Sequence, residues 1–420
     1  MNNKSLFLLL LLPLLFFSTA KAQKTVWEEF FSLEENKPTD HYNDTNYLAQ
    51  WLQVDSLEGI NMLRNADSVV KQIHQQAWKA KNYPVVIKAI LFELKYQNNV
   101  KEVGIGNQLK QLDAEIEKMP SPHKNVLQSI AGSAWLMAYQ NRNYDDEQQE
   151  PDTANPANWD IDKLVKKAEA YFIASLQNSE ALLQIPIKNY TTLAFVPNNA
   201  ENLWPTVYDL LQWRAFRFYS AQVGSHGVET GYNKEVVFSD VTDFLKLNFN
   251  QNTTQDKSLR LLQSLLQRYT GKSLTTALVT ADIERVEYLS KISLNIDQKD
   301  SLELVWLESQ IQKYKQHPIT ALLLYKAARK VACTNSFYYT SDIGDGCNNS
   351  KALRYCQWAV DSFPAENASY NCKGLMQEIY KPLLSASIEY SNIAKEPFRY
   401  NLNYISISRI NRCSLSSFFF

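Results

Sequence analysis

The sequence predicts a mainly α-helical protein of antiparallel helical hairpins, followed by a short C-terminal β segment. Apolar residues recur at three- and four-residue spacing through most of the chain after about residue 57. Only 11 of the 420 residues are Gly, well below the usual share of roughly 7%, and all-β folds and Gly-rich phosphate loops both need more. From Leu383 the apolar period changes to two, which is typical of a strand.

The N-terminus has the pattern of a secretory signal peptide. Lys4 supplies the positive charge, residues 6–17 form the apolar run, and Ala20-Lys21-Ala22 is the small-x-small cleavage site. The apolar run is too short for a membrane span. We therefore expect residues 1–22 to be removed between Ala22 and Gln23, and the mature chain to be periplasmic or secreted.

The charge balance excludes some partner classes. The chain has 43 basic and 44 acidic residues, a formal net charge of −1. This balance gives no electrostatic footprint for nucleic acid or for an anionic membrane surface.

The first helical region, residues 23–141, contains four patterned segments. They cover residues 57–79, 83–96, 105–119 and 123–139. Ser56 has the character of an N-cap for the first, and Pro120 and Pro122 end the third. Short connections predict an N-terminal helical bundle. Residues 142–158 are acidic, contain Pro and have few apolar side chains, so we expect a linker.

The second half continues with helices. Residues 159–255 are predicted to hold helices at 159–183 and 206–220, long polar loops, and a short β-like run at 236–238. Residues 256–381 form successive hairpins, with Pro318 at the first turn of one helix. Small residues at the helix contacts and the Phe363-Pro364 end are similar to degenerate tetratricopeptide repeats, which stack into an α-α superhelix.

The end of the chain changes character. Residues 383–390 and 398–410 alternate like strands, and two strands cannot bury a face alone. We expect residues 382–410 to begin a β-sandwich whose remainder is missing. Residues 411–420 read as an aberrant low-complexity tail, which a frameshift or premature stop would explain.

No catalytic, cofactor or metal site is predicted. The sequence has no G-x-S-x-G, H-E-x-x-H, P-loop or dinucleotide motif, and its five His are scattered. The segment from Asp342 to Asp345 lacks the third acidic position and the terminal Glu of a calcium loop. A solvated turn is the simpler interpretation, and we expect the chain not to be an enzyme.

All five cysteines lie in the last quarter of the chain. Their spacing does not fit zinc ligands. Cys333 and Cys347 are suited to closing a small disulfide loop in an oxidising compartment. Cys356 and Cys372 would bridge a helical hairpin, but both fall on its apolar stripe, which favours buried free cysteines.

Two segments carry a family resemblance. Residues 203–216 read Leu-Trp-Pro-Thr-Val-Tyr-Asp-Leu-Leu-Gln-Trp-Arg-Ala-Phe, and residues 367–379 read Asn-Ala-Ser-Tyr-Asn-Cys-Lys-Gly-Leu-Met-Gln-Glu-Ile. With the signal peptide and helical layout, they resemble the N-terminal region of alpha-2-macroglobulin-like proteins of Bacteroidetes-type bacteria. The second segment is followed by Pro382, a strand to Tyr390, Glu396-Pro397-Phe398 and Tyr404. The structural positions of the resemblance are Pro205, Tyr208, Asp209, Arg214, Cys372 and Tyr404.

The resemblance implies a non-enzymatic helical scaffold that precedes macroglobulin β-sandwich domains in an endopeptidase inhibitor. In that family a protease cuts a bait region, and in many members a thioester formed by Cys-x-Glu-Gln then captures it. This sequence has no Cys-x-Glu-Gln motif, so no bait or thioester residue is assigned. The implied partners are proteins: the remaining macroglobulin domains or a target protease.

Two alternatives remain open. A helical-repeat glycan-binding protein of a polysaccharide-uptake system fits the 12% aromatic content. The absence of a cysteine directly after the signal and the final β run count against it. An α/α-toroid glycosidase or lyase fits the chain length, but such folds place paired carboxylates on Gly- and aromatic-rich loops, and Gly is scarce here.

Overall fold

The computed structural model describes residues 44–101, 104–140, 159–193, 196, 199–226, 231–249, 253–293, 295–332 and 348–381, and the backbone of 383–388, 400–405 and 413–416. Over these residues the chain is mainly α, as predicted, with 17 α-helices and packed adjacent helix pairs. Among the described helices, none is both long enough and apolar enough to cross a membrane. The predicted linker 142–158, Asp342, Cys333 and Cys347 lie outside the described residues.

The chain divides into two compact units, residues 1–218 and 219–420. The first unit contains α1 (Leu48–Gly59), α2 (Leu63–Lys79), α3 (Tyr83–Lys101), α4 (Ile105–Lys118), α5 (His123–Gln140), α6 (Ile161–Ser175), α7 (Ser179–Leu183), a 3₁₀ turn (Ile187–Tyr190), α8 (Ala200–Leu203) and most of α9 (Val207–His226). The second contains α10 (Lys234–Val237), α11 (Val241–Phe244), α12 (Thr254–Tyr269), α13 (Thr275–Ile292), α14 (Lys299–Lys313), α15 (Thr320–Val331), α16 (Asn349–Ser362) and α17 (Asn367–Tyr380).

The start of the first unit corrects one sequence prediction. Ser56 is not an N-cap but lies inside α1, where its hydroxyl donates to the Leu52 carbonyl at 3.0 Å. The helix ends where Asn61 takes a positive φ of 57°. The Met62 N–H then reaches back to the Leu57 carbonyl at 2.8 Å, a Schellman-type ending. Two helices therefore replace one long one.

Adjacent helices of the first unit pack as hairpins. α1 packs on α2, α2 on α3, α4 on α5 and α5 on α6. Close approach of α5 and α6 depends on Gly132, where an added Cβ would lie 2.8 Å from Cε2 of Phe172. The side chain of Phe172 thus fills the space that a larger residue would need.

The second unit stacks its helices in chain order. α12 packs on α13, and α14 to α17 pack each on the next, with α15 also against α17. The shared core is rich in small, fully buried residues at the helix contacts: Ala321, Ala327, Ala328, Ala352 and Ala359. Small residues let the helix backbones approach closely. The arrangement is repeat-like.

The β-like run predicted at 236–238 is wrong. Residues 234–237 form the short helix α10, whose N-cap Asn233 accepts a hydrogen bond from the Val236 N–H at 3.0 Å. A capped turn satisfies backbone groups that a lone three-residue strand would leave unpaired. The β-branched pair of valines misled the sequence prediction.

At the C-terminal end the backbone has three short extended pieces, β1 (Leu383–Ile388), β2 (Tyr400–Ile405) and β3 (Cys413–Ser416). They pair antiparallel in the order β1-β2-β3. No side-chain packing is described for them. The opening of a β-sandwich at 382–410 and an aberrant tail at 411–420 stay predictions.

Candidate functional site

A charged cleft of about 240 Å³ lies between α13, α14 and α15 in the second unit. Its lining is almost entirely ionic and comes from three helices. The lining residues are Glu287, Ser290, Lys291, Lys299, Asp300, Glu303 and Lys330.

Lys330 ties α15 to α14 across this cleft. Its Nζ lies 2.8 Å from Glu303 Oε2 and 3.0 Å from Asp300 Oδ1. Burial acts to lower the pKa of Lys330, but the hydrogen bonds that its ammonium group donates to Glu303 and Asp300 outweigh burial, so the pKa lies above its ordinary value. Lys330 is therefore an ammonium ion at neutral pH and a fixed ionic link between two helices.

Ser290 is the unusual polar group of the cleft. It is only 4% exposed, and its hydroxyl has no hydrogen-bond partner among the described residues. Its carbonyl accepts from Lys299 Nζ at 2.8 Å. A serine nucleophile needs an adjacent base to take its proton, and none is bonded to this hydroxyl. The Ser290 hydroxyl is therefore buried and is not an activated nucleophile.

No metal centre is found in the part of the chain that the structure describes. There, no group of three or more His, Cys, Asp or Glu side chains is placed to hold an ion.

The segment at residues 203–216 contains a capping arrangement at the start of α9. Asp209 Oδ2 accepts hydrogen bonds from the Thr206 N–H at 3.0 Å and the Thr206 hydroxyl at 2.7 Å. The Asp209 N–H in turn lies 3.4 Å from Thr206 Oγ1. This is the reciprocal pattern of a capping box, which satisfies N–H groups that a helix start leaves free.

The same segment is hydrogen-bonded to residues 185–187, which lead into the 3₁₀ turn. The Pro205 carbonyl accepts from the Ile187 N–H at 3.3 Å, and the Val207 N–H donates to the Ile185 carbonyl at 2.9 Å. These bonds flank an antiparallel bridge between Pro186 and Thr206. These contacts hold the residues just before α9 against the residues at the start of the 3₁₀ turn.

Arg214 connects α9 to α5. Its Nε donates to Ser129 Oγ at 2.8 Å, and its Nη2 donates to Ser133 Oγ at 2.9 Å and to the Ser129 carbonyl at 3.3 Å. Burial lowers the pKa of Arg214 to about 10, so it still carries its charge at neutral pH. Tyr208 lies half-buried on the same helix.

The remaining motif residues lie in the second unit. Cys372 is fully buried on α17. Tyr404 is in β2, where only the backbone is described. Pro205 and Asp209 therefore lie at the entry of α9, whereas Arg214 lies about two turns further along the helix and binds α5.

Sequence reasoning missed two buried ionic clusters. In the first unit Lys88 Nζ lies 3.0 Å from Asp44 Oδ2 and 4.4 Å from the centre of the Trp51 ring. Thr192 Oγ1 donates to the same Asp44 oxygen at 2.5 Å. The signal was a single Lys in the apolar run Val85-Val86-Ile87-Lys88-Ala89-Ile90, because a lone charge there must find a partner.

The second cluster surrounds Arg285 on α13, which is 0% exposed. Its Nε donates to Asp282 Oδ1 at 2.7 Å, and its Nη2 donates to the Ser239 carbonyl at 2.7 Å. Its Nη1 donates to the Val237 carbonyl at 3.2 Å. Its guanidinium carbon lies 5.2 Å from the centre of the Phe244 ring. Arg285 therefore fastens the α10–α11 segment to α13.

Comparisons of the chain with protein-family models, with curated proteins and with solved structures find no match. Inferences about function accordingly depend on the chain's own motifs and contacts.

Proposed function

We propose that the chain is a non-enzymatic, exported helical scaffold, the N-terminal part of an alpha-2-macroglobulin-like endopeptidase inhibitor. The observation that carries this proposal is the role of the motif at residues 203–216. Asp209 caps α9, Pro205 holds the preceding loop, and Arg214 binds two serines of α5. Residues used in this way suit a structural support.

The cleft between α13, α14 and α15 also supports a scaffold. Lys330 is neutralised by Asp300 and Glu303, and Glu287 is paired with Lys326 at 2.6 Å. Ionic links between successive helices fix how they stack. They leave no free acid–base pair of the kind that hydrolytic chemistry uses.

α17 offers a surface for a protein partner. Tyr370 is 77% exposed and Tyr380 is 50% exposed on this helix. Exposed tyrosines are enriched where proteins contact one another, because the ring buries area and the hydroxyl still bonds water or a partner. The macroglobulin domains expected to follow α17 would be the first candidates to cover them.

A protease assay with two substrates tests the proposal. A trap leaves small peptide substrates accessible while it excludes large protein substrates. The secreted chain, mixed in equimolar amount with trypsin, is expected to slow cleavage of neither substrate. Stoichiometric protection of the large substrate by this chain alone would overturn the proposal, because the bait and capture functions would then lie within it.

Genomic sequencing provides the second arm. The DNA following codon 420 is expected to encode macroglobulin-type β-sandwich domains in some frame. If it encodes them, those domains, produced separately, should bind the chain. The double variant Y370S/Y380S should weaken this binding, whereas I173S, at a 49% exposed site of α6, should leave it unchanged. A locus without such domains would refute the proposal, and polysaccharide binding in gel-shift electrophoresis would favour the glycan-binding alternative.

A further inference from the structure

Two cysteines face each other inside the last hairpin of the second unit. Cys356 lies on α16 and Cys372 on α17, and these helices pack against each other. Both side chains are 0% exposed and belong to one apolar core. Both are free thiols in this structure.

The two thiols interact directly. The neighbouring Cys356 sulfur, followed by burial, raises the pKa of Cys372 far above its ordinary value. The same contact lowers the pKa of Cys356, although burial opposes it.

We propose that Cys356 and Cys372 form a disulfide that closes the α16–α17 hairpin when the chain is exported. The proposal rests on the export included in the proposed function, because disulfides persist in oxidising compartments and not in the cytosol. It concerns a covalent modification of this chain and is independent of any inhibitor activity.

The oxidant required is a disulfide donor, either an exported dithiol–disulfide oxidoreductase or a small-molecule disulfide. One of the two thiols, as its thiolate, attacks one donor sulfur and expels the other donor sulfur as a thiolate, which forms a mixed disulfide. The other thiol loses its proton to water and, as a thiolate, attacks the sulfur of the first cysteine, which expels the donor sulfur bound to it as a second thiolate. Two thiols lose two electrons and two protons, and the donor disulfide becomes a dithiol. Because both cysteines are buried, exchange proceeds during folding or local opening of the hairpin.

The sequence offers a clean assay for this pair. Trypsin cuts after Arg354 and after Lys373, and the peptide between these cuts contains Cys356 and Cys372 but no other cysteine. The full chain is exported in one preparation and retained in a reducing cytosol in another. Each preparation is alkylated with iodoacetamide in denaturant without reductant and digested with trypsin, and the mass of the peptide is measured by mass spectrometry.

In the exported protein the peptide is expected to be lighter by two hydrogen atoms and to carry no alkyl group. After reduction it should take up two alkyl groups, as the cytosolic sample does from the start. Two alkyl groups in the unreduced exported sample would overturn the proposal. So would linkage of Cys356 or Cys372 to another cysteine of the chain.

A stability measurement shows whether the disulfide stabilises the α16–α17 hairpin. Adding reductant to the exported protein should raise the rate of amide hydrogen exchange in α16 and α17 by up to roughly 100-fold. This is the effect expected from opening a disulfide loop of the length between Cys356 and Cys372. The double variant C356A/C372A should show no response to reductant. Because the mass assay uses the unsubstituted chain, it decides the proposal even where the variant fails to fold, and protease inhibition enters neither readout.

Discussion

Replacing Arg285 by Met tests whether a buried charge holds the α10–α11 segment to the second unit. Met has a similar volume and no donor, so the change removes hydrogen bonds to Asp282, Val237 and Ser239 while keeping most of the packing. Asp282, which is 7% exposed, then loses its ion pair with Arg285 Nε at 2.7 Å.

The expected loss is about 3–5 kcal/mol of unfolding free energy. This is the usual cost of removing one partner of a buried ion pair, because the other charge stays buried without compensation. The two backbone carbonyls that Arg285 binds would add to this cost unless water reaches them. With a urea slope of about 1–3 kcal/mol/M, the midpoint of the transition should fall by more than 1 M.

Urea denaturation followed by circular dichroism measures the total effect, and hydrogen exchange at residues 234–247 measures the local one. The matched control is R329M on α15. Arg329 has a side chain 48% exposed and lies 3.8 Å from Glu378, so the same substitution should change stability by less than about 0.5 kcal/mol. Equal effects of R285M and R329M would refute the argument.

The pH dependence gives a second check with a definite sign. Burial raises the pKa of Asp282, and Arg285 acts against that rise. Without Arg285 the pKa rises further, so folded R285M binds a proton that the unfolded chain has already lost. Stability of R285M relative to the native chain should therefore recover as pH falls from 7 toward 5. A deficit that grows on acidification would show that Asp282 is not the stranded charge.

The other predictions concern packing, titration and capping. G132A should destabilise the first unit by about 1–3 kcal/mol, because the new Cβ meets Phe172 at 2.8 Å. G374A has open space around it on α17, so it should instead stabilise the second unit by about 0.5–1 kcal/mol. Thermal unfolding measures both changes. Burial lowers the pKa of His123, so folding stability should fall as pH drops below about 6.5, and H123N should flatten that slope in urea titrations at pH 7 and 5.5. D209A should cost about 0.5–2 kcal/mol through loss of the cap of α9, seen as faster hydrogen exchange in its first turn.

Much of the helical layout was accessible from the sequence because its stop signals are local. The prolines at 120 and 122 end α4, which covers Ile105–Lys118 where residues 105–119 were predicted. The next helix begins at His123, as predicted. Apolar stripes at helical spacing also placed the hairpins α14 to α17 in the right order.

The wrong predictions at Ser56 and at residues 236–238 concern positions where a polar side chain can hydrogen-bond the local backbone in more than one way. Ser56 has N-cap character, yet inside α1 its hydroxyl bonds the carbonyl four residues back. The true stop is Asn61 in the left-handed region, a residue that tolerates this conformation better than most. At residues 234–237 the side chain of Asn233 accepts a hydrogen bond from the Val236 N–H, and this cap stabilises a helical turn in a valine-rich run.

The candidate site was less predictable because its partners are distant in sequence. Lys330 meets Asp300 and Glu303 only after α14 and α15 fold back on each other. Charge spacing along one helix predicts contacts three or four residues apart, and it says nothing about pairs across a hairpin. The lone charges Lys88 and Arg285 in apolar stripes were visible, but their partners were not.

The two fully buried cations share a topological role. Lys88 binds Asp44 and through it Thr192, and Arg285 binds the backbone at Val237 and Ser239. Thr192 follows the 3₁₀ turn, and Val237 and Ser239 belong to the α10–α11 segment, so each cluster reaches a residue outside the hairpin that carries the cation. Hairpins joined by short turns bury an apolar face on their neighbours, and the α14–α15 hairpin adds the ionic link from Lys330 to Asp300 and Glu303. Segments too short to bury an apolar face need directional hydrogen bonds. The buried charges therefore specify where these irregular segments attach to the packed helices.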